Sequence, residues 1–206
     1  MVDLVDFIAH FPILISVEHK LKPWLIVKDI EAIIGNHIQS LNSDYKIENG
    51  IAIHKTTMIE KGVTLKAPVI ISEHCKIGAN AYFRAGVFLA ASVKIGPSSE
   101  IKSSIICRES AIAHLNYVGN SLIGSRVNFE AGSIAANHFN ERREKEIRVK
   151  HNGQIFETGL KKFGALIGDD SKIGANAVLS PGTILAKESV VKRLALIEQI
   201  PESDNL

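Results

Sequence analysis

Cysteine is scarce in these 206 residues: Cys75 and Cys107 are the only two, and their spacing is not that of metal ligands. That excludes a disulfide framework and fits a reducing compartment. Charge of one sign is also missing. Lys and Arg number 24 against 22 Asp and Glu, a formal net charge of +2, so no basic excess points to nucleic acid as a partner. No apolar run is long enough to span a bilayer. The apolar stretch 7–15 follows Asp3 and Asp6 with no early Lys or Arg, and so lacks the charged start of a signal peptide. These absences lead to the expectation of a cytoplasmic globular protein with no membrane insertion.

What the chain has in abundance is a period of six. Large apolar residues fall at Ile53, Ile59, Leu65, Ile71, Ile77, Phe83, Leu89, Ile95 and Ile101. Four places after each comes a small or β-branched residue, such as Val63, Cys75, Ala81 and Ser99. The phase slips by one residue and continues at Ile106, Ile112 and Val118. It slips again to Ile123, Phe129 and Ala135, then returns after an interruption at Ile167, Ile173, Leu179, Leu185 and Val191. An α-helix has a period of about 3.6 residues and cannot carry this pattern. One long strand cannot either, because glycine and turn residues punctuate it. The spacing predicts a mainly β protein, a single-stranded parallel β-helix of hexapeptides with each large residue pointing inward and three hexapeptides to a coil.

Two segments do not share the repeat. Residues 1–50 read as an N-terminal helical cap. Val2, Leu4, Val5 and Ile8 fit a short amphipathic helix interrupted at Pro12. A second helix starts near Pro23 and ends at Asn42-Ser43-Asp44. Solenoid ends expose core, so these helices are expected over the end of the coil. The repeat domain, 51–206, contains the other exception, an insertion at 137–163. It opens with charge and then alternates as a hairpin turning at Asn152-Gly153. A loop of this length on a solenoid is expected to reach a neighbouring subunit or close over a site. A closing strand or a short cap is expected at 192–197 and a disordered polar tail from Pro201.

The candidate chemistry lies at His114-Leu115-Asn116-Tyr117-Val118-Gly119, where the pattern loosens and offers a histidine, an amide and a phenol within four residues. An imidazole is suited to relieving an attacking amine of its proton. Arg84 and Lys102 are eighteen residues apart, one coil of three hexapeptides, so they stack at one corner as a basic column suited to an anion. His138 is a second candidate base. Cys75 falls at an inward small position, and nothing marks Cys107 as a nucleophile.

From Tyr82 to about Lys192 the sequence resembles the acetyltransferase domain of bacterial bifunctional N-acetylglucosamine-1-phosphate uridyltransferase/glucosamine-1-phosphate acetyltransferase. It is more similar still to the C-terminal domain of the archaeal-type sugar-1-phosphate nucleotidylyltransferase/acetyltransferases. The stretches that carry the resemblance are 83–86, 100–102, 114–119, 123–133, Asn137 and 158–169. The resemblance implies a left-handed coil, a homotrimer with sites shared between subunits, and acetyl-CoA as co-substrate with no metal. It implies that His114 is the general base, and that Arg84, Lys102 and Lys162 hold the acceptor's phosphate. Tyr117, Asn128 and Asn137 contact the sugar, and Ala131 and Ala175 line the acetyl-CoA groove. The implied partner is a glucosamine-1-phosphate-like amino-sugar 1-phosphate. Two departures stand out. The bacterial Asn-Tyr-Asp-Gly motif reads Asn137-His138-Phe139-Asn140 here, and no glycine-rich nucleotide loop precedes the repeat. The other readings are an acyltransferase for a nucleotide-linked sugar or a longer acyl chain, and a non-catalytic trimeric scaffold or regulatory protein. A zinc hydrase on the same solenoid needs converging histidines, and the spacing of the histidines does not favour it.

Overall fold

The computed structural model of the chain describes residues 2–11 and 22–201. Short parallel strands stack on three faces. The first face is a seven-stranded sheet running from Met58–Ile59 through Lys76–Ile77, Lys94–Ile95, Ala111–Ile112, Asn128–Phe129 and Lys172–Ile173 to Val190–Val191. The second face carries Thr64–Leu65, Tyr117–Gly119, Ile134–Ala135, Val178–Leu179 and Leu196–Ile197. The third carries Ile51–His54, Val69–Ile71, Leu122–Ile123, Ala165–Ile167 and Thr183–Leu185. The strands Tyr82–Leu89 and Glu100–Ile106 bend round the edge between the second and third faces and serve both.

Side chains alternate across each strand, so the hexapeptide's large residue points inward. Ile77, Phe83, Leu89, Ile95, Ile112, Phe129 and Ile173 are all buried in one continuous core. Each contributes roughly 1.5–3 kcal/mol through removal from water. The corners take left-handed backbone even without glycine. Leu115 has φ +59°, and its N–H donates to the Pro97 carbonyl one coil below at 3.1 Å. Coil stacking thus overrides a local preference that disfavours this conformation for leucine.

The phase slips have a structural cause. At the edge between the second and third faces, Ala85-Gly86 turns the chain in one coil, and the pairing shifts register after Arg84. In the next coil Ser103 alone makes the turn with φ +45°, and in the following one Asn120 does so with φ +48°. Shortening this one corner removes one residue per coil and leaves every inward position in place.

The third face is apolar on both sides. Ala52, Ile70, Phe88, Ile105, Leu122, Leu166 and Ile184 point outward from it and are nevertheless buried. A sheet with two buried faces needs a cover. Three helices supply part of it: α1 (Leu4–Phe7), α2 (Pro23–Lys28) and α3 (Ile30–Ile38). The insertion supplies the rest through Phe139, Ile147, Val149 and Phe163. Helix α1 is fastened by the buried Asp169 carboxylate, which accepts from the Ala9 N–H at 2.9 Å and the Ser125 N–H at 2.7 Å. The expected hairpin is present as Arg148–His151 paired antiparallel with Gln154–Glu157. Both turn residues have positive φ, 48° at Asn152 and 75° at Gly153.

These observations correct three expectations. The helices do not sit over the end of the coil; they lie along its third face. That face is apolar on its outer side, and among the described residues no helix covers the end of the solenoid at the first coil, where Met58 is 63 % and Ile59 38 % exposed. Residues 1–50 are not wholly helical, because Tyr45–Glu48 is a strand antiparallel to Ile51–His54. The single helix from Pro23 is two, α2 and α3, broken at Asp29. The expected interruption at Pro12 lies outside the described residues, as does all but the start of the expected tail from Pro201. Leu196–Ile197 closes the second face as expected.

Candidate functional site

The expected site residues sort onto distinct parts of the prism. Arg84 and Lys102 pair directly in register, so the basic column exists, on the edge between the second and third faces. The Arg84 guanidinium is held by Glu100, Nε to Oε1 2.7 Å. The Lys102 residue is only 8 % exposed and its ammonium donates to Asn120 Oδ1 at 3.2 Å. The same oxygen accepts from Asn137 Nδ2 at 2.6 Å. With its nitrogen committed there, Asn137 turns Oδ1 towards His138 Nδ1, 3.2 Å away. One buried chain of polar groups therefore runs from an ammonium through two amides to an exposed imidazole.

Burial is the largest cause that lowers the Lys102 ammonium below the usual lysine range, and the charges of Lys162 and Arg84 lower it further; Glu100 and Glu31 oppose them. The half-buried Tyr117 phenol lies over Gly119, where a Cβ would meet its oxygen at 2.6 Å. Burial pushes this phenol up, Glu100 adds to the effect, and Arg84 and Asn137 oppose it.

His114 lies elsewhere. It sits at the edge between the first and second faces, exposed, where its carbonyl accepts from the Gly132 N–H at 3.1 Å. Ala131 and Ala175 continue the same edge upward, since the Asn176 N–H donates to the Ala131 carbonyl at 3.0 Å and the Leu194 N–H to that of Ala175 at 2.9 Å. The repeat does not loosen at His114. His114-Leu115 is a corner like its neighbours above and below, and the shortened corner is Asn120, across the second face. Asn128 stands on the first face between Ala111 and Lys172.

Two grooves flank these edges. One of about 620 Å³ runs past Asn128, Glu130, Lys172, Gly174, Lys192 and Arg193, beside Ala175. There Glu130 binds Arg193 through both oxygens at 2.7 Å and accepts from the Ala175 N–H at 2.8 Å. The other, about 490 Å³, lies on the far side of Lys102 and Asn120, between α2–α3 and residues 160–162. Lys162 lines it together with Lys102.

The structure thus gathers Arg84, Lys102, Tyr117, Asn137 and Lys162 about one edge, and His114, Ala131 and Ala175 along another. Asn128 lies on the first face, in the groove beside Ala175 and away from the basic edge. Sequence reasoning missed Asn120, the hub of the network, and Glu100, the partner of Arg84. A one-residue slip at an asparagine is the signal that could have found Asn120. Both cysteines are core. Burial pushes the Cys75 thiol up to about 12 and raises Cys107 as well, with Asp169 adding to it.

Fold and site together define a hexapeptide-repeat protein, a left-handed parallel β-helix with a basic edge and a histidine-bearing edge. Residues 164–192 match the hexapeptide repeat of succinyl-transferase, and residues 46–155 match the GMPPB C-terminal domain. The chain belongs to the family of the GMPPB C-terminal domain. It is 36 % identical over 167 residues to a bifunctional sugar-1-phosphate nucleotidylyltransferase/acetyltransferase of Sulfurisphaera tokodaii, covering 78 % of this chain and 41 % of that one. It is 33 % identical over 191 residues to the bifunctional protein GlmU of Methanococcus vannielii, covering 89 % and 45 %. It is 37 % identical over 131 residues to the GlmU of Buchnera aphidicola, covering 64 % and 24 %. The chain spans less than half the length of these relatives.

Proposed function

We propose that this chain is an acetyl-CoA-dependent N-acetyltransferase for an amino-sugar 1-phosphate, acting in the cytoplasm as a homotrimer. The observation that carries this reading is Lys102: a nearly buried ammonium that donates to a neutral amide and, among the described residues, forms no ion pair within 4.0 Å, beside Arg84 and Lys162. Burying such a charge is unfavourable unless an anion completes it, and a phosphate is the anion that suits clustered Lys and Arg. Similarity to proteins whose names contain sugar-1-phosphate and acetyltransferase supports the same chemistry.

In the proposed reaction Arg84, Lys102 and Lys162 hold the phosphate, and Tyr117, Asn128 and Asn137 contact the sugar. The amine attacks the thioester carbonyl while His114 takes its proton. Backbone N–H donation steadies the oxygen as it gains charge. The C–S bond breaks, the thiolate leaves, and the imidazolium returns the proton to sulfur. Acetyl-CoA fits along Ala131 and Ala175, where small side chains keep the edge low and Lys172 and Lys192 offer charge for its phosphates. His114 and Asn128 stand away from the basic edge of their own chain. A trimer resolves this by letting neighbouring copies complete each site. The test is turnover of acetyl-CoA against a panel of amino-sugar phosphates. Thiol release with an amino-sugar 1-phosphate is expected. Binding of neither acetyl-CoA nor any sugar phosphate would leave the chain as a non-catalytic scaffold.

A further inference from the structure

The groove on the helix side of Lys102 contains charges that the repeat does not supply. Helix α2 contributes Lys28 and helix α3 contributes Glu31, opposite Lys102, Lys161 and Lys162 across about 490 Å³. Four ammoniums and one carboxylate converge here. Among the described residues none of the five is ion-paired within 4.0 Å. Glu31 is nonetheless near enough to oppose the lowering of Lys102.

The position of Glu31 is built in. Helix α3 rests on the corner at Gly86, where an added Cβ would lie 3.0 Å from Ile30 and 3.2 Å from the Glu31 side chain. Gly86 also has φ +87°, a conformation open to glycine. The corner next to Arg84 is therefore shaped to receive this helix, and the first turn of the helix carries Glu31 into the groove.

We propose that α2 and α3 form one wall of the acceptor site, with Lys28 adding charge for the phosphate and Glu31 accepting a hydrogen bond from a sugar hydroxyl or amine. This rests on the amino-sugar phosphate reading above. The chemistry selects a ligand with an anion at one end and donors at the other. A bare phosphate satisfies the lysines but is repelled by Glu31, whereas an amino-sugar phosphate satisfies both. Such paired requirements discriminate more strongly than charge alone, because a ligand without a donor opposite Glu31 meets its repulsion and gains no hydrogen bond in return.

The experiment is calorimetric titration of the full chain with inorganic phosphate and with glucosamine 1-phosphate, for wild type, Lys28→Ala and Glu31→Gln. Both positions are exposed, so folding is preserved. Lys28→Ala is expected to weaken both ligands by about fivefold or more, as loss of a charge-assisted contact does. Glu31→Gln is expected to separate them: the amino-sugar phosphate weakens by about tenfold while inorganic phosphate binds as tightly or more tightly. If Glu31→Gln tightens both ligands, Glu31 is only a counter-charge and the proposal is wrong. If neither substitution changes either affinity, the groove is not the acceptor site. Wild type that binds the amino-sugar phosphate but does not consume acetyl-CoA would refute the proposed reaction and leave the groove intact.

Discussion

At the scale of one residue, Lys102 is a charge held in the fold against the cost of its burial. Its lowered value has a defined sign for stability. In the free protein the folded state binds the proton less tightly than the unfolded chain, whose lysine titrates near about 10.4. Folding stability therefore rises with pH between the lowered value and the ordinary one. Lys102→Met removes this dependence and the unfavourable buried charge, while Asn120 still accepts from Asn137. The melting temperature of Lys102→Met is expected to be no lower than that of wild type at pH 7. The wild type should gain on it as pH rises through the alkaline window. The acceptor KM should rise by roughly tenfold or more. Melts of the two proteins at neutral and alkaline pH check the first part and steady-state kinetics the second. A variant that melts well below wild type at pH 7 would mean that Lys102 is structural.

At the scale of elements, the third face decides where everything outside the repeat goes. Phe163, from the end of the insertion, meets Trp24 of α2 edge-on with ring centroids 6.2 Å apart. The insertion and the helices are therefore one cover rather than two decorations. Phe163→Ala should cost about 3–5 kcal/mol, as deletion of a buried aromatic does. The chain has one tryptophan, so a red shift of its emission would report water reaching the seam. Unchanged emission and an unchanged denaturation midpoint would contradict this packing. Gly86→Val should act on the same cover from the other side by pushing α3 off its corner, with a loss of about 1–3 kcal/mol.

The strands were legible because inward residues return to a period of six after each slip of one residue. The Arg84–Lys102 column was legible because one coil is eighteen residues. The cover was harder to place. An amphipathic helix shows that it needs an apolar partner surface but does not say which one. Reading only the inward residues passed over the doubled apolar positions Ile70-Ile71, Phe88-Leu89 and Ile105-Ile106, which mark a face buried on both sides. Asn120 and Glu31 were hidden for a related reason. One enters the groove beside Lys102 through a shortened corner and the other through the docking of a helix remote in sequence, and neither event leaves a spacing rule.

At the scale of the whole molecule, the proposed site divides between two edges of the chain, which is a physical argument for assembly. A trimer is expected in solution, about three times 22.5 kDa in mass. Trimers assembled from a mixture of Lys102→Ala and His114→Ala chains should turn over acetyl-CoA faster than either parent, because some sites then combine an intact lysine from one chain with an intact histidine from another. Mixed trimers no more active than their parents would place both residues of each site in one chain.

The measurement closest to the central claim is the steady-state kinetics of His114→Ala with acetyl-CoA and an amino-sugar 1-phosphate. General-base catalysis by a positioned imidazole contributes roughly 10²–10⁴ in rate, and the basic edge proposed to hold the phosphate is untouched by this change. The account predicts a fall in kcat of that size with the acceptor KM nearly unchanged, the pattern of an interaction made only in the transition state. A His114→Ala protein with near-normal kcat would contradict it, and the imidazole already joined to the Lys102 network, His138, would become the base to test.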